Sequence, residues 1–245
     1  MSQQNTSDTT NQGKIIVITG ASKGLGKAIA KQFAATGYTL LICARGELQL
    51  YKMVEELLLE FPNCTIKAIP VDMSVKEEVQ AFASWCLLYG TPDIIINNAG
   101  QFLPGAIHNE EDGLLEQMIQ TNLYSAYHVT RALLPTMIER KSGIIFNICS
   151  IASLQAYANG GSYSISKYAL LGFSKNLREE LKPHGIKVSA VMPGAAYTDS
   201  WIGSGVEESR IMEANDIAKM VFAASQLSTQ AVMEDIVLRP QLGDL

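Results

Sequence analysis

Lys14-Ile15-Ile16-Val17-Ile18-Thr19-Gly20-Ala21-Ser22-Lys23-Gly24-Leu25-Gly26 decides the architecture of this chain. An apolar, β-branched run reads as a strand buried on both faces. The three glycines that follow open a helix expected over Leu25–Thr36. Glycine, lacking Cβ, lets a backbone bend sharply and approach an anion closely. Free N–H groups and the positive end of the helix dipole then face that anion. The turn from Gly20 through Ser22, Lys23, Gly24 and Leu25 to Gly26 therefore reads as a seat for a phosphate-bearing cofactor. A ligand-free tight turn would use the same residues, but strand before, helix after and a second strand beyond are the context a dinucleotide site requires.

The same unit repeats outward from this stretch. Short apolar runs occur at Tyr38–Ala44, Thr65–Val71, Asp93–Asn97, Gly143–Cys149, Lys187–Met192 and Asp235–Arg239. Between them, apolar residues spaced three and four apart predict helices over Leu48–Glu60, Lys76–Tyr89, Leu114–Glu139, Ser162–Lys182 and Asn215–Leu227. Such alternation implies right-handed crossovers and a sheet covered on both sides. The expected fold is α/β: one doubly wound, Rossmann-like domain over 13–245 with a seven-stranded, mostly parallel sheet. Residues 1–12, rich in Ser, Thr, Gln and Asn, are expected to be a disordered tail.

Composition narrows the function. With 47% hydrophobic and 18% charged residues the chain can build a large core. A net charge of −5 without a basic block argues against nucleic acid or an anionic membrane as partner. No apolar run reaches the length of a bilayer span, and the start lacks a signal peptide, so a soluble cytoplasmic protein is expected. Four cysteines (Cys43, Cys64, Cys86, Cys149) and three scattered histidines form no metal-ligand pattern, and the three cysteines in apolar runs read as buried reduced thiols.

Cofactor type is legible at the end of the second strand. A fold that binds NAD(H) commonly places an acidic residue there for the ribose 2′-hydroxyl. This strand ends in Arg45, which suits a 2′-phosphate, with Lys23 as a second cation. The pair favours NADP(H); Glu47, within reach of a ribose, keeps NAD(H) open.

Tyr163 and Lys167 stand four apart on one predicted helix and share a face. A phenol ordinarily ionises near pH 10, and a neighbouring ammonium favours the phenolate. Tyr163 is thereby expected to act as general acid in reduction and general base in oxidation. Ser150, closing the fifth strand thirteen residues upstream, can hydrogen-bond the reacting oxygen as charge develops.

On these residues the sequence resembles the short-chain dehydrogenase/reductase family. The glycine turn matches that family's cofactor fingerprint. Asn97-Asn98-Ala99-Gly100 matches the segment after its fourth strand. Ser150, Tyr163 and Lys167 match its catalytic residues in identity and spacing, and Asn122 matches the Asn that completes the tetrad. Pro193-Gly194 with Thr198 matches the segment along the nicotinamide, and Asp72, followed by Met73, the adenine contact. The resemblance implies that Lys167 also binds the nicotinamide ribose and that Asn122 holds a water linking Lys167 to solvent. Two departures stand out. Cys149 replaces the Ser that often precedes the catalytic Ser. The C-terminal segment lacks a Val-Asp-Gly-Gly ending, which turns the reading from 3-oxoacyl-carrier-protein reductases toward sepiapterin-reductase-like or hydroxy-acid-dehydrogenase-like branches.

Phe102, Ile151, Ala152, Ser153, Leu154, Tyr157, Ala195, Ala196, Tyr197 and Trp201 are expected near the substrate. They are mostly apolar and include no Arg or Lys to clamp an anion, so a small or medium neutral carbonyl or alcohol is the expected substrate. The segment between Pro193 and Asn215 is short for a lid, and its Gly203 and Gly205 suggest mobility. The resemblance further implies a homodimer or homotetramer through the two long helices. The rival readings are a 3-oxoacyl-carrier-protein reductase-like or hydroxy-acid dehydrogenase activity, and a non-catalytic NADPH-sensing regulator on the same fold.

Overall fold

Strand β1 (Ile15–Thr19) alternates between two hydrophobic layers, and that alternation organises the whole molecule. Ile16 and Ile18 point into one layer and Ile15 and Val17 into the other. Strand β2 (Thr39–Ala44) repeats the pattern, with Leu40 and Ile42 on the first side and Leu41 and Cys43 on the second. Each fully covered Ile, Leu or Val side chain contributes roughly 1.5–3 kcal/mol relative to exposure. A computed structural model describes residues 11, 13–198, 201, 203 and 205–244. The segment read as a disordered tail lies outside the described residues except for Asn11, which is buried.

The remaining strands are β3 (Thr65–Pro70), β4 (Ile94–Asn97), β5 (Gly143–Ile148), β6 (Ile186–Pro193), a short pair β7 (Ala196–Tyr197) and β8 (Met212–Glu213), and β9 (Asp235–Leu238). Seven of them form one sheet in the order β3-β2-β1-β4-β5-β6-β9. All of its pairings are parallel, where a mostly parallel sheet was expected. Strand order reverses between β1 and β4, so a crevice opens at their carboxyl ends.

Helices α1 (Gly24–Ala34), α2 (Glu47–Glu60) and α7 (Ala214–Ser225) cover the first face through residues such as Phe33, Leu50, Met53 and Val221. On the second face lie α3 (Lys76–Leu87), α5 (Ser125–Arg140) and α6 (Gly161–Leu181), through Phe82, Leu133, Met137 and Leu177. The segment expected as one helix over Leu114–Glu139 is divided. Helix α4 (Leu114–Ile119) runs into a π-helical turn at Gln120–Tyr124 before α5 begins. No helix among the described residues is long and apolar enough to cross a membrane.

Candidate active site

Backbone geometry at the end of β1 needs glycine. Gly20 has φ +66, and a Cβ there would lie 2.9 Å from Ala99 Cα. A Cβ on Gly26 would fall 2.3 Å from the Gly20 carbonyl oxygen. Asn98 locks the turn: its Nδ2 donates to the carbonyls of Thr19 and Gly20, both at 2.9 Å. The Thr19 hydroxyl, which sequence reasoning passed over, accepts from the N–H groups of Asn98 and Ala99. Helix α1 then starts with no side-chain cap and no acidic residue in its first turn. Its leading N–H groups and its dipole are thus left for an outside anion. A glycine cradle before an uncapped helix fits the phosphates of a dinucleotide. Gly24, at φ +54, faces Thr198, whose Cβ a Gly24 Cβ would approach to 3.3 Å. Thr198 therefore lies across the turn.

Along the same edge, Arg45 follows β2 as an exposed side chain. Asp72 follows β3, and its Oδ1 accepts from the Ser74 N–H and hydroxyl. Those bonds, with a lesser pull from Arg45, hold its carboxyl below the ordinary range. Met73 is buried beside Cys43. Lys23 is exposed and Ser22 is buried in the turn. Pro193 ends β6, and Gly194 donates its N–H to the Leu238 carbonyl at 2.8 Å.

On the other side of the crevice, β5 delivers Ser150. A short 3-10 turn at Ile151–Ser153 follows, and the Ser150 hydroxyl accepts from the Ala152 N–H at 3.1 Å. Helix α6 carries Tyr163 in its first turn and Lys167 one turn on. The Lys167 ammonium donates to the Ile148 carbonyl at 2.8 Å and sits 5.8 Å from the Tyr163 ring centre. The Ser150 hydroxyl lies near enough to the Tyr163 phenol to favour its ionised form. The π turn directs Asn122 inward. Its Oδ1 accepts from the Gln101 N–H at 2.8 Å, and its Nδ2 donates to the Gln101 carbonyl and the Ser166 hydroxyl. A π turn often marks such a functional position. Gly100 joins the two halves: a Cβ there would lie 3.2 Å from Asn122 Oδ1 and 3.5 Å from Lys167 Nζ.

Electrostatics differ from the sequence expectation in one respect. Burial raises the Tyr163 phenol above its ordinary value, with the Ser150 hydroxyl pulling the other way and Cys149 adding to the rise. Lys167 is not among the influences that lower it. Burial itself brings Lys167 down to about 8, because its ammonium has left water for a carbonyl and apolar neighbours. Desolvation prevails, and Tyr163 is a neutral proton donor. The Cys149 thiol is pushed up to about 11 by burial and stays protonated.

Of the residues expected around the substrate, Phe102 stands edge-on to the Tyr163 ring, with centres 4.8 Å apart. Tyr157 and Leu154 are each more than 40% exposed, and partial desolvation, with Tyr163 nearby, raises the Tyr157 phenol. Ala152 and Ser153 are buried and back the wall instead of forming its face. Ala196 and Tyr197 are drawn into the β7–β8 pair, which the sequence pattern did not reveal. Part of the 193–215 segment, residues 199, 200, 202 and 204, lies outside the described residues. Among the described residues, no group of three or more His, Cys, Asp or Glu could hold a metal ion.

Known proteins share this fold and sequence pattern. Residues 14–208 match the short chain dehydrogenase family. An uncharacterised oxidoreductase of Staphylococcus aureus is 30% identical over 228 residues, spanning 93% of this chain and 97% of the relative. Among solved structures, a metagenomic short-chain oxidoreductase in complex with NADP superposes with a TM-score of 0.82 at 30% identity, covering 94% of this chain and 98% of that one. The alcohol dehydrogenase of the archaeon Thermococcus sibiricus, complexed with 5-hydroxy-NADP, gives 0.85 at 27% identity over 93% and 97%. A parallel sheet in this order, a glycine cradle at its switch point and the match over most of the sequence lead to one conclusion: the chain belongs to the short-chain dehydrogenase/reductase family of oxidoreductases.

Proposed function

We propose that the protein is an NADP(H)-dependent reductase or dehydrogenase of neutral carbonyl and alcohol compounds, with Tyr163 as its general acid and base. The observation that carries this reading is the grouping of Ser150, Tyr163 and Lys167 across Gly100 from the glycine cradle. Arg45 supports the 2′-phosphate form of the cofactor, as do the NADP ligands of the two structures just described. Bound NADP(H) supplies or accepts the hydride.

In reduction, the hydroxyls of Ser150 and Tyr163 both donate to the substrate carbonyl oxygen. As that oxygen becomes an alkoxide, the Tyr163 proton crosses to it, and Ser150 stabilises the remaining charge. Lys167, close to its neutralisation point, offers a proton to the tyrosinate left behind. Asn122 holds Gln101 and Ser166 around this group and keeps its geometry fixed. Oxidation of an alcohol runs the same transfers backwards. The apolar surroundings of Phe102 and Leu154 suit a neutral substrate.

A panel of neutral aldehydes, ketones and diketones, assayed by NADPH absorbance beside the Tyr163→Phe variant, tests the reading. The wild type should turn over at least one member and prefer NADPH to NADH. The variant should bind NADPH as the wild type does and lose turnover about 10²–10⁴-fold. Wild-type rates in the variant, or no turnover of any member, would overturn it and favour the cofactor-sensing alternative.

A further inference from the structure

Two loops border Tyr163. The first, residues 101–113, leaves β4 and carries Phe102. The second, residues 154–160, leads into α6 and carries Tyr157. They are joined at one place. The Glu110 carboxylate accepts from the Ser162 hydroxyl at 2.6 Å through Oε1, and from the Ser162 N–H at 3.3 Å through Oε2. Beside it, the Gly105 N–H donates to the Asn159 carbonyl at 3.1 Å. Two glycines let the chains close around the carboxylate. A Cβ on Gly161, where φ is +27, would fall 2.4 Å from the Gly105 carbonyl oxygen and 2.7 Å from Glu110 Oε2. A Cβ on Gly105 would stand 3.0 Å from the same oxygen. Glu110 is half-buried, and it occupies the positive end of the helix on which Tyr163 is the next residue after Ser162.

We propose that Glu110 is a positioning residue that clasps the two loops together and so fixes the gap in which the carbonyl substrate is held. The inference rests on the reading of Tyr163 given above. An ordinary helix cap would contribute stability alone. A clasp also sets how well Phe102 and Tyr157 embrace the substrate, while leaving the glycine cradle on the far side of the crevice untouched. Its loss should therefore appear in the KM for the carbonyl compound and not in the affinity for NADPH.

The test uses the full chain and the panel member with the highest turnover. Glu110→Ala should raise KM for that compound about tenfold, the loss of a charge-assisted hydrogen bond, with kcat within about threefold and the NADPH dissociation constant unchanged. Glu110→Gln, which keeps an oxygen acceptor for Ser162, should recover most of the loss. Ser162→Ala, a milder change, should raise KM in the same direction and decides the matter if Glu110→Ala fails to fold. An unchanged KM in a folded Glu110→Ala or in Ser162→Ala would overturn the clasp, as would a parallel weakening of NADPH binding. If Tyr163→Phe has lost turnover while the Glu110 and Ser162 variants keep the wild-type KM, only the clasp fails. If no panel compound is turned over, the catalytic reading fails and takes the clasp with it.

Discussion

Lys167 exchanges water for a single carbonyl partner when the chain folds, and only 5% of its surface remains exposed. The ammonium form loses most by that exchange, so its pKa falls from 10.5 in the unfolded chain to about 8 in the folded protein. Below pH 8 both states hold the proton and the folded state bears the full burial cost. Between about 8 and 10.5 the unfolded chain binds more protons, so this residue makes stability rise with pH across that window. Melting of the cofactor-free protein should show it. The wild type should be less stable than Lys167→Met at pH 7 by more than it is at pH 10. A difference that stays constant over that range would mean that Lys167 keeps an ordinary lysine pKa in the folded state. Burial raises the Tyr163 pKa rather than lowering it, and the phenol is present in both proteins, so the comparison isolates the lysine.

The turn between β1 and α1 works as an element because three chain segments meet without side chains between them. Gly26 is the tightest point, since its Cα faces the Gly20 carbonyl and the Asn98 amide at once. Gly26→Ala would place a methyl group against backbone that cannot rotate away, at a cost of about 1–3 kcal/mol. The variant should bind NADPH about tenfold or more weakly and melt earlier, as read by fluorescence titration and calorimetry. Unchanged affinity would mean that the turn does not seat the phosphates. This element was legible in the sequence because its chemistry is local: three glycines within seven residues, after an apolar strand. The π turn was not. One extra residue in the turn that carries Asn122 shifts the apolar stripe of the Leu114–Glu139 segment by less than the breadth of that stripe, so periodicity passes over it. The β7–β8 pair has two residues in each strand, too few to form a pattern. Glu110 and Ser162 are 52 positions apart, and an exposed-looking acidic run, Glu110-Glu111-Asp112, conceals the one carboxylate that is engaged. The direction of the Tyr163 shift was missed for a related reason. Spacing places an ammonium near a phenol, but how dry the pair is depends on the loops packed over it.

At the scale of the molecule, the elements that carry the active site also carry an uncovered apolar surface. Asn122 points inward from the π turn, while Leu115 and Tyr124 line a shallow hollow on the outside of the same segment, with Ile119 between them. Tyr163 and Lys167 lie on the inner side of α6, while Ile165 and Tyr168 on that helix are each more than 40% exposed. Scattered single apolar residues need no explanation, but several on two adjoining helices form a patch that water disfavours. A second copy of the chain placing the same helices across a two-fold axis would cover it, since such an interface is self-complementary. The expected outcome is a light-scattering mass at least twice that of one chain at micromolar concentration. Tyr124→Glu combined with Tyr168→Glu, which buries four like charges at a two-fold contact, should shift that mass toward the monomer. Because the inner sides of these helices hold Asn122 and Tyr163, the separated chains should also show a lower kcat while NADPH binding at the distant glycine turn persists. A wild-type protein that is monomeric at that concentration would instead leave the patch without a partner of its own kind.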